Sequence, residues 1–134
     1  MTPEQIAAAG TEHSHQAAFF CALRDHYVKY PQLRFMHAIP NGGERNVVVA
    51  SKLKAEGVKQ GVPDTFLPYP SGAHHGLYIE FKRPKSNGKA EGKLSKEQET
   101  WADYLIFQKF AYFVAYDYLQ AIKFVLEYMS LSQV

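Results

Sequence analysis

The chain has 134 residues, which favours a single domain with a small core of its own. A hydrophobic fraction of 46% against 21% charged residues excludes a disordered chain, and a net charge of only +2, with six histidines uncounted, means that bulk charge does not declare a nucleic-acid binder. No apolar run approaches the roughly 20 residues needed to span a bilayer, no secretory leader is visible, and the lone Cys21 cannot form an internal disulfide, so a soluble, cytoplasmic protein is expected.

In chain order, residues 1–11 read as a poorly ordered lead to one domain spanning 1–134. From Glu12 to about Lys29, Phe19, Phe20, Leu23 and Tyr27 recur at helical spacing, and Pro31 stops the helix. Leu33 to Ile39 reads as a strand, and Pro40-Asn41-Gly42-Gly43 as a turn. A second helix is expected from about Arg45 to Glu56, closed by Gly57, although the β-branched Val47-Val48-Val49 run opposes it. Pro63–Leu67 and Gly76–Lys82 read as strands joined by a Pro- and Gly-containing loop short enough for an antiparallel hairpin. A Gly- and Lys-rich loop follows from Arg83 to Leu94. Ser95 and Gln98 have capping-box spacing at the head of a helix running to Gln108. Phe110–Tyr116 reads as a strand, and Asp117 caps a last helix whose Tyr118, Ile122, Val125 and Met129 share one face. Helices interleaved with strands imply an α/β fold, a sheet covered by helices.

Three polar residues stand where a bland fold would not need them. Asp64 follows Pro63 at the start of one hairpin strand; Glu80 and Lys82 lie near the end of the other, in Ile79-Glu80-Phe81-Lys82. Residues two apart on a strand share a face, so Glu80 and Lys82 project together, and hairpin pairing brings Asp64 towards Glu80. Two converging carboxylates repel unless a cation lies between them. Mg²⁺ or Mn²⁺ suits such oxygen ligands and would polarise a phosphoryl oxygen and activate water there. Lys82 could orient or deprotonate the attacking water, or offset charge on the phosphate; the sequence does not choose. The bland reading is a surface Glu80–Lys82 ion pair with Asp64 in a turn.

These residues carry a resemblance. From Ile39-Pro40-Asn41-Gly42-Gly43 through Gly57-Val58-Lys59-Gln60-Gly61-Val62-Pro63-Asp64 to Glu80-Phe81-Lys82, then Leu94-Ser95-Lys96-Glu97-Gln98 and Trp101, the chain resembles the VRR-NUC branch of the PD-(D/E)XK nuclease superfamily, of the standalone phage or bacterial type. The resemblance implies a restriction-endonuclease-like core, a central mixed sheet flanked by helices. It implies that Asp64, Glu80 and the main-chain carbonyl of Phe81 hold the metal and that Lys82 is the catalytic lysine. Gln98 would face the site and help to place water or phosphate, as well as capping its helix. Related nucleases often carry a glutamate on the first helix near the metal; Glu12 is either that residue or a solvated acid at a helix start. Such proteins are associated with homodimers acting on branched DNA such as Holliday junctions, in DNA repair and in a bacterial or phage-infected cell.

The loop after the second hairpin strand holds Arg83, Lys85, Lys89 and Lys93 and leads to Lys96, against Glu91 alone among acids. Such a concentration suits phosphate contacts without a base-reading code, or a solvated loop. Lys52, Lys54 and Lys59 extend the basic face, and Asn41 and Arg45 are candidates to touch DNA. The histidines have no zinc spacing. Trp101, Tyr104, Phe107, Phe110, Tyr112 and Phe113 follow helix and strand periods, and so read as core or subunit interface rather than as a base-stacking platform. Rival readings are a flap- or nick-directed nuclease, a DNA-binding module of this fold that does not cut, and an interaction domain with an incidental acidic cluster.

Overall fold

A computed structural model describes residues 1–40 and 47–131. Helices α1 (Pro3–Ala7) and α2 (Glu12–Leu23) come first, followed by two 3-10 turns (Arg24–His26 and Pro31–Phe35) and strand β1 (His37–Ala38). Helix α3 (Val47–Ala55) precedes β2 (Thr65–Leu67) and β3 (Leu77–Phe81), and then come α4 (Lys96–Phe107), β4 (Ala111–Ala115) and α5 (Tyr118–Met129).

The opening segment departs from the expected unstructured lead. Thr2 and Gln5 form a reciprocal capping box with Pro3 in the first turn, so a short helix forms. It packs on α2 and buries Ala7. Thr11 caps α2 in the same way, through Ser14. That helix ends at Leu23 and tightens into a 3-10 turn rather than running on to Lys29. The strand expected over 33–39 shrinks to His37–Ala38, because Pro31, with its fixed φ and no N–H to lose, starts a 3-10 turn that buries Leu33. α3 forms despite its valines: Val47 and Val48 lie on its solvent side, 81% and 77% exposed, where their propensity cost is only a few tenths of a kcal/mol each. Gly57, at φ +99°, closes it as expected, with its N–H on the Lys54 carbonyl (3.1 Å) and that of Val58 on Leu53 (3.0 Å). The expected start of this helix at Arg45, and the turn through Asn41, lie outside the described residues.

The four strands are ordered β1-β2-β3-β4. β1/β2 and the expected hairpin β2/β3 are antiparallel; β3/β4 are parallel, joined by the crossover through α4. Alternation along β3 sorts its side chains. Leu77, Ile79 and Phe81 are sealed against α2 and α5, with Phe81 lying 5.5 Å from the ring of Phe19. Tyr78 and Glu80 face the other way, with their β4 partners Tyr112 and Val114. The apolar face of α5 reads as expected, since Tyr118, Val125 and Met129 are buried and Ile122 packs against the core. Tyr104 and Phe107 lie outside the core, 57% and 81% exposed, which leaves the subunit interface as their alternative place. Among the described residues, no helix is long and apolar enough to cross a membrane.

Two glycines of similar backbone angle have different surroundings. A Cβ on Gly57 would meet nothing, whereas one on Gly61 (φ +93°) would lie 2.7 Å from the Glu97 main chain in the first turn of α4. Gly57→Ala is therefore expected to cost about 1 kcal/mol of backbone strain, and Gly61→Ala a further ~1–3 kcal/mol of overpacking. Thermal or denaturant unfolding of the two variants checks this; equal losses would contradict a close contact at Gly61.

Candidate active site

The antiparallel register sets Thr65 opposite Ile79, which places Asp64 opposite Glu80 one step further along. Pro63 has no N–H to offer a ladder, so β2 begins only at Thr65, and the Asp64 side chain turns to the neighbouring strand. Its Oδ2 accepts the Phe81 N–H at 2.8 Å. Meanwhile its own carbonyl accepts the Ile39 N–H at 2.7 Å, and Thr65 Oγ1 donates to the Ile79 carbonyl at 2.8 Å. Asp64 is thus fixed to both neighbouring strands.

Glu80 is 1% exposed and Lys82 8%. The Lys82 N–H bonds the Ala115 carbonyl (2.9 Å), extending the β3/β4 ladder beyond the strand. The basic loop then folds back on Lys82. Gly92 donates to the Arg83 carbonyl (2.9 Å), and a Cβ on Gly92 would lie 3.1 Å from the Arg83 nitrogen and 3.5 Å from Lys82 Cδ.

Gln98 does two things at once. Its Oε1 accepts the Ser95 N–H at 2.8 Å, completing the capping box, and its Nε2 donates to Glu80 Oε1 at 2.8 Å. Both ends of the amide are committed, so it orients the carboxylate. The close approach of Gly61 to Glu97 holds this helix start over the sheet.

The second Glu80 oxygen, Oε2, is sealed from solvent and accepts no hydrogen bond. Burial pushes the Glu80 carboxyl from its ordinary 4.5 up to about 9; the Asp64 charge adds to this, Lys82 opposes it, and hydrogen bonding with Asp64 and the charge of Glu12 raise it further. Without a cation the pair therefore relieves its repulsion by keeping one proton on Glu80. A hard divalent cation would satisfy the sealed oxygen and replace that proton, so the donor set fits one. Among the described residues no three Asp, Glu, His or Cys side chains are grouped to hold a metal. The rest of a cation's shell would come from main chain, water and phosphate. Glu12, exposed in the first turn of α2, acts on Glu80 through its charge without joining such a group.

Sequence reasoning missed Tyr112. It pairs with Tyr78, two rungs from Glu80–Val114, and so shares the Glu80 face. Its hydroxyl is buried without a hydrogen-bond partner. Burial, then the Glu80, Asp64 and Tyr116 charges, raise its pKa and keep it a neutral donor. Only the parallel pairing of β3 with β4, invisible in the sequence, aligns it with the site.

Lys59, Arg83, Lys85, Lys89, Lys93 and Lys96 are all exposed. Arg83 spends one N–H on the Ala90 carbonyl (2.7 Å), and Ser86 and Lys89 form a β-bridge, so the loop is folded rather than loose. Asn41 and Arg45 lie outside the described residues. His15 is buried in the scaffold, where its Nδ1 accepts the Tyr118 N–H at 3.1 Å and burial lowers its pKa against the opposing charge of Asp117.

A four-stranded mixed sheet flanked by helices is consistent with a restriction-endonuclease-like core. The family model of the VRR-NUC domain matches residues 2–117, and the chain belongs to that family, whose members are generally nucleases and typically use a divalent metal. A solved structure titled "VRR_NUC domain protein" is similar in fold, with TM-score 0.70 and 24% identity over 92% of this chain and 91% of that one. No curated protein matches the chain.

The protonated Glu80 has a consequence for stability. A carboxyl whose folded pKa is raised from 4.5 to about 9 contributes stability that is fully present below about 4.5 and is lost as pH rises through about 9. In chelator, the melting temperature is expected to fall from pH 5 to pH 9 more steeply in the native protein than in Glu80→Gln. Parallel slopes in the two proteins would contradict the assignment.

Proposed function

We propose that the protein is a Mg²⁺- or Mn²⁺-dependent DNA endonuclease, one nuclease domain over 1–134, with Asp64, Glu80 and Lys82 at its centre. The observation that carries this reading is the buried Glu80 facing Asp64 across the β2/β3 pair, with Lys82 on the same face of the strand. Asp64, Glu80 and the Phe81 carbonyl would hold the cation, which supplies Lewis-acid polarisation of the phosphate and activation of water. Glu12 would approach through water.

In the reaction a water oxygen bonds to phosphorus, the bond to the leaving sugar oxygen breaks, and that oxygen takes up a proton. Lys82, with its stem packed under Gly92, presents an ammonium to the charge that builds on the phosphate. Gln98 fixes Glu80, and Asp64 is fixed by the Phe81 amide, so both ligands are set before substrate arrives. The exposed cations Lys59, Arg83, Lys85, Lys89, Lys93 and Lys96, together with Asn41 and Arg45, form the DNA surface in this reading. Such cations bind phosphates and read no bases. Selection would therefore rest on DNA shape, with branched DNA such as a four-way junction the substrate class and a two-fold homodimer suited to paired cuts. A cytoplasmic location fits that substrate.

Labelled four-way junction, flap and linear duplex DNA, incubated with Mg²⁺, Mn²⁺ or EDTA, test the reading. Junction cleavage is expected, lost in EDTA and slowed by about 10²–10³-fold in Lys82→Ala, while Glu80→Ala abolishes cutting and still binds DNA. Tight binding without cutting would identify a non-catalytic module, and preferential flap cleavage a different substrate geometry.

A further inference from the structure

Two polar atoms of the described residues are buried without a partner: Glu80 Oε2 and the Tyr112 hydroxyl. They are not scattered. Tyr112 pairs with Tyr78 and Glu80 with Val114 on consecutive same-face rungs of the parallel β3/β4 ladder, so both groups rise from the same face of the sheet. The Glu80 and Asp64 charges both act on the Tyr112 hydroxyl, yet no hydrogen bond joins it to either carboxylate. An oxygen-bearing ligand shared between them would give both atoms the partner they lack.

Burying a hydroxyl without a partner destabilises a fold, and phenylalanine would occupy the same place on β4 without that cost. Nor is Tyr112 diverted to a scaffold contact of the kind that Tyr128 makes, whose hydroxyl donates to the Tyr69 carbonyl at 2.6 Å. Gln98 already occupies Glu80 Oε1, so the carboxylate oxygen still lacking a partner is Oε2.

We propose that Tyr112 is a positioning residue of this site, its hydroxyl donating a hydrogen bond to the water or phosphate oxygen that completes the coordination of a divalent cation held by Asp64 and Glu80. This rests on the cation reading above and adds a protein group that fixes the cation's non-protein ligand from the β4 side. Removing such an outer partner typically weakens metal binding by about 10–100-fold.

The test is the thermal stabilisation of the native protein, Tyr112→Phe and Tyr78→Phe by Mn²⁺, titrated from a chelator-treated state. Tyr78 is the same-rung neighbour and serves as the control. Tyr112→Phe is expected to melt no lower than the native protein without metal, because it loses only an unpartnered hydroxyl, and to need about ten-fold more Mn²⁺ for half its shift. Tyr78→Phe is expected to need the native concentration. An unchanged half-saturating concentration in Tyr112→Phe would overturn the proposal. So would a lower metal-free melting temperature, which marks a structural role, or an equal change in both variants. If Mn²⁺ fails to stabilise even the native protein, the cation reading falls and the Tyr112 proposal falls with it.

Discussion

The organisation of this protein follows from one unfavourable contact, two carboxyl groups facing each other across an antiparallel strand pair. Glu80 is almost sealed from solvent and has Asp64 opposite, and its carboxyl is driven up to about 9 as a result. A fold selected for stability alone would place an apolar residue there. The scaffold instead holds the pair from several sides: the Phe81 amide on Asp64, the Gln98 amide on Glu80, and the Lys82 charge nearby. The Phe81 and Gln98 restraints come from regular elements, β3 and α4, which gives the site a precision that loops seldom provide.

Local sequence features act at a distance here. Asp64 follows Pro63 just before β2, and its side chain bonds across to the Phe81 amide. Gly61 lets its backbone touch the first turn of α4. That contact sets where Ser95 and Gln98 sit, and hence which Glu80 oxygen is bonded and which is left open. The basic loop closes on itself through Arg83–Ala90 and Gly92–Arg83 contacts, which pack it beside Lys82. Membership of a nuclease family is consistent with a sheet whose apolar face builds the core and whose opposite face gathers the acids.

Much of this was legible in the sequence because it depends on short-range rules. The period-2 pattern of residues 77–82 put Glu80 and Lys82 on one face, the short loop implied the hairpin that brings Asp64 over, Ser95 and Gln98 declared a capping box, and Gly57 closed its helix. Misreadings arose where a local device outweighed periodicity. Thr2 and Pro3 nucleate a helix in what reads as a lead, and Pro31 turns an apparent strand into a 3-10 turn. Tyr112 was hidden for a different reason. Its meaning depends on β4 lying parallel to β3 in a register that no local pattern encodes. The second use of Gln98, as a donor to Glu80, likewise depends on packing between elements far apart in the chain.

The central claim is that the carboxyl pair exchanges a proton for a divalent cation. It is tested most directly by calorimetric titration of the metal-free protein with Mn²⁺ near pH 7.5, in two buffers of different ionisation enthalpy. Binding with release of about one proton per cation is the expected result, because Glu80 must surrender its proton to become a ligand. Binding without proton release would show Glu80 to be ionised already, and no binding would show that the pair is not a cation site.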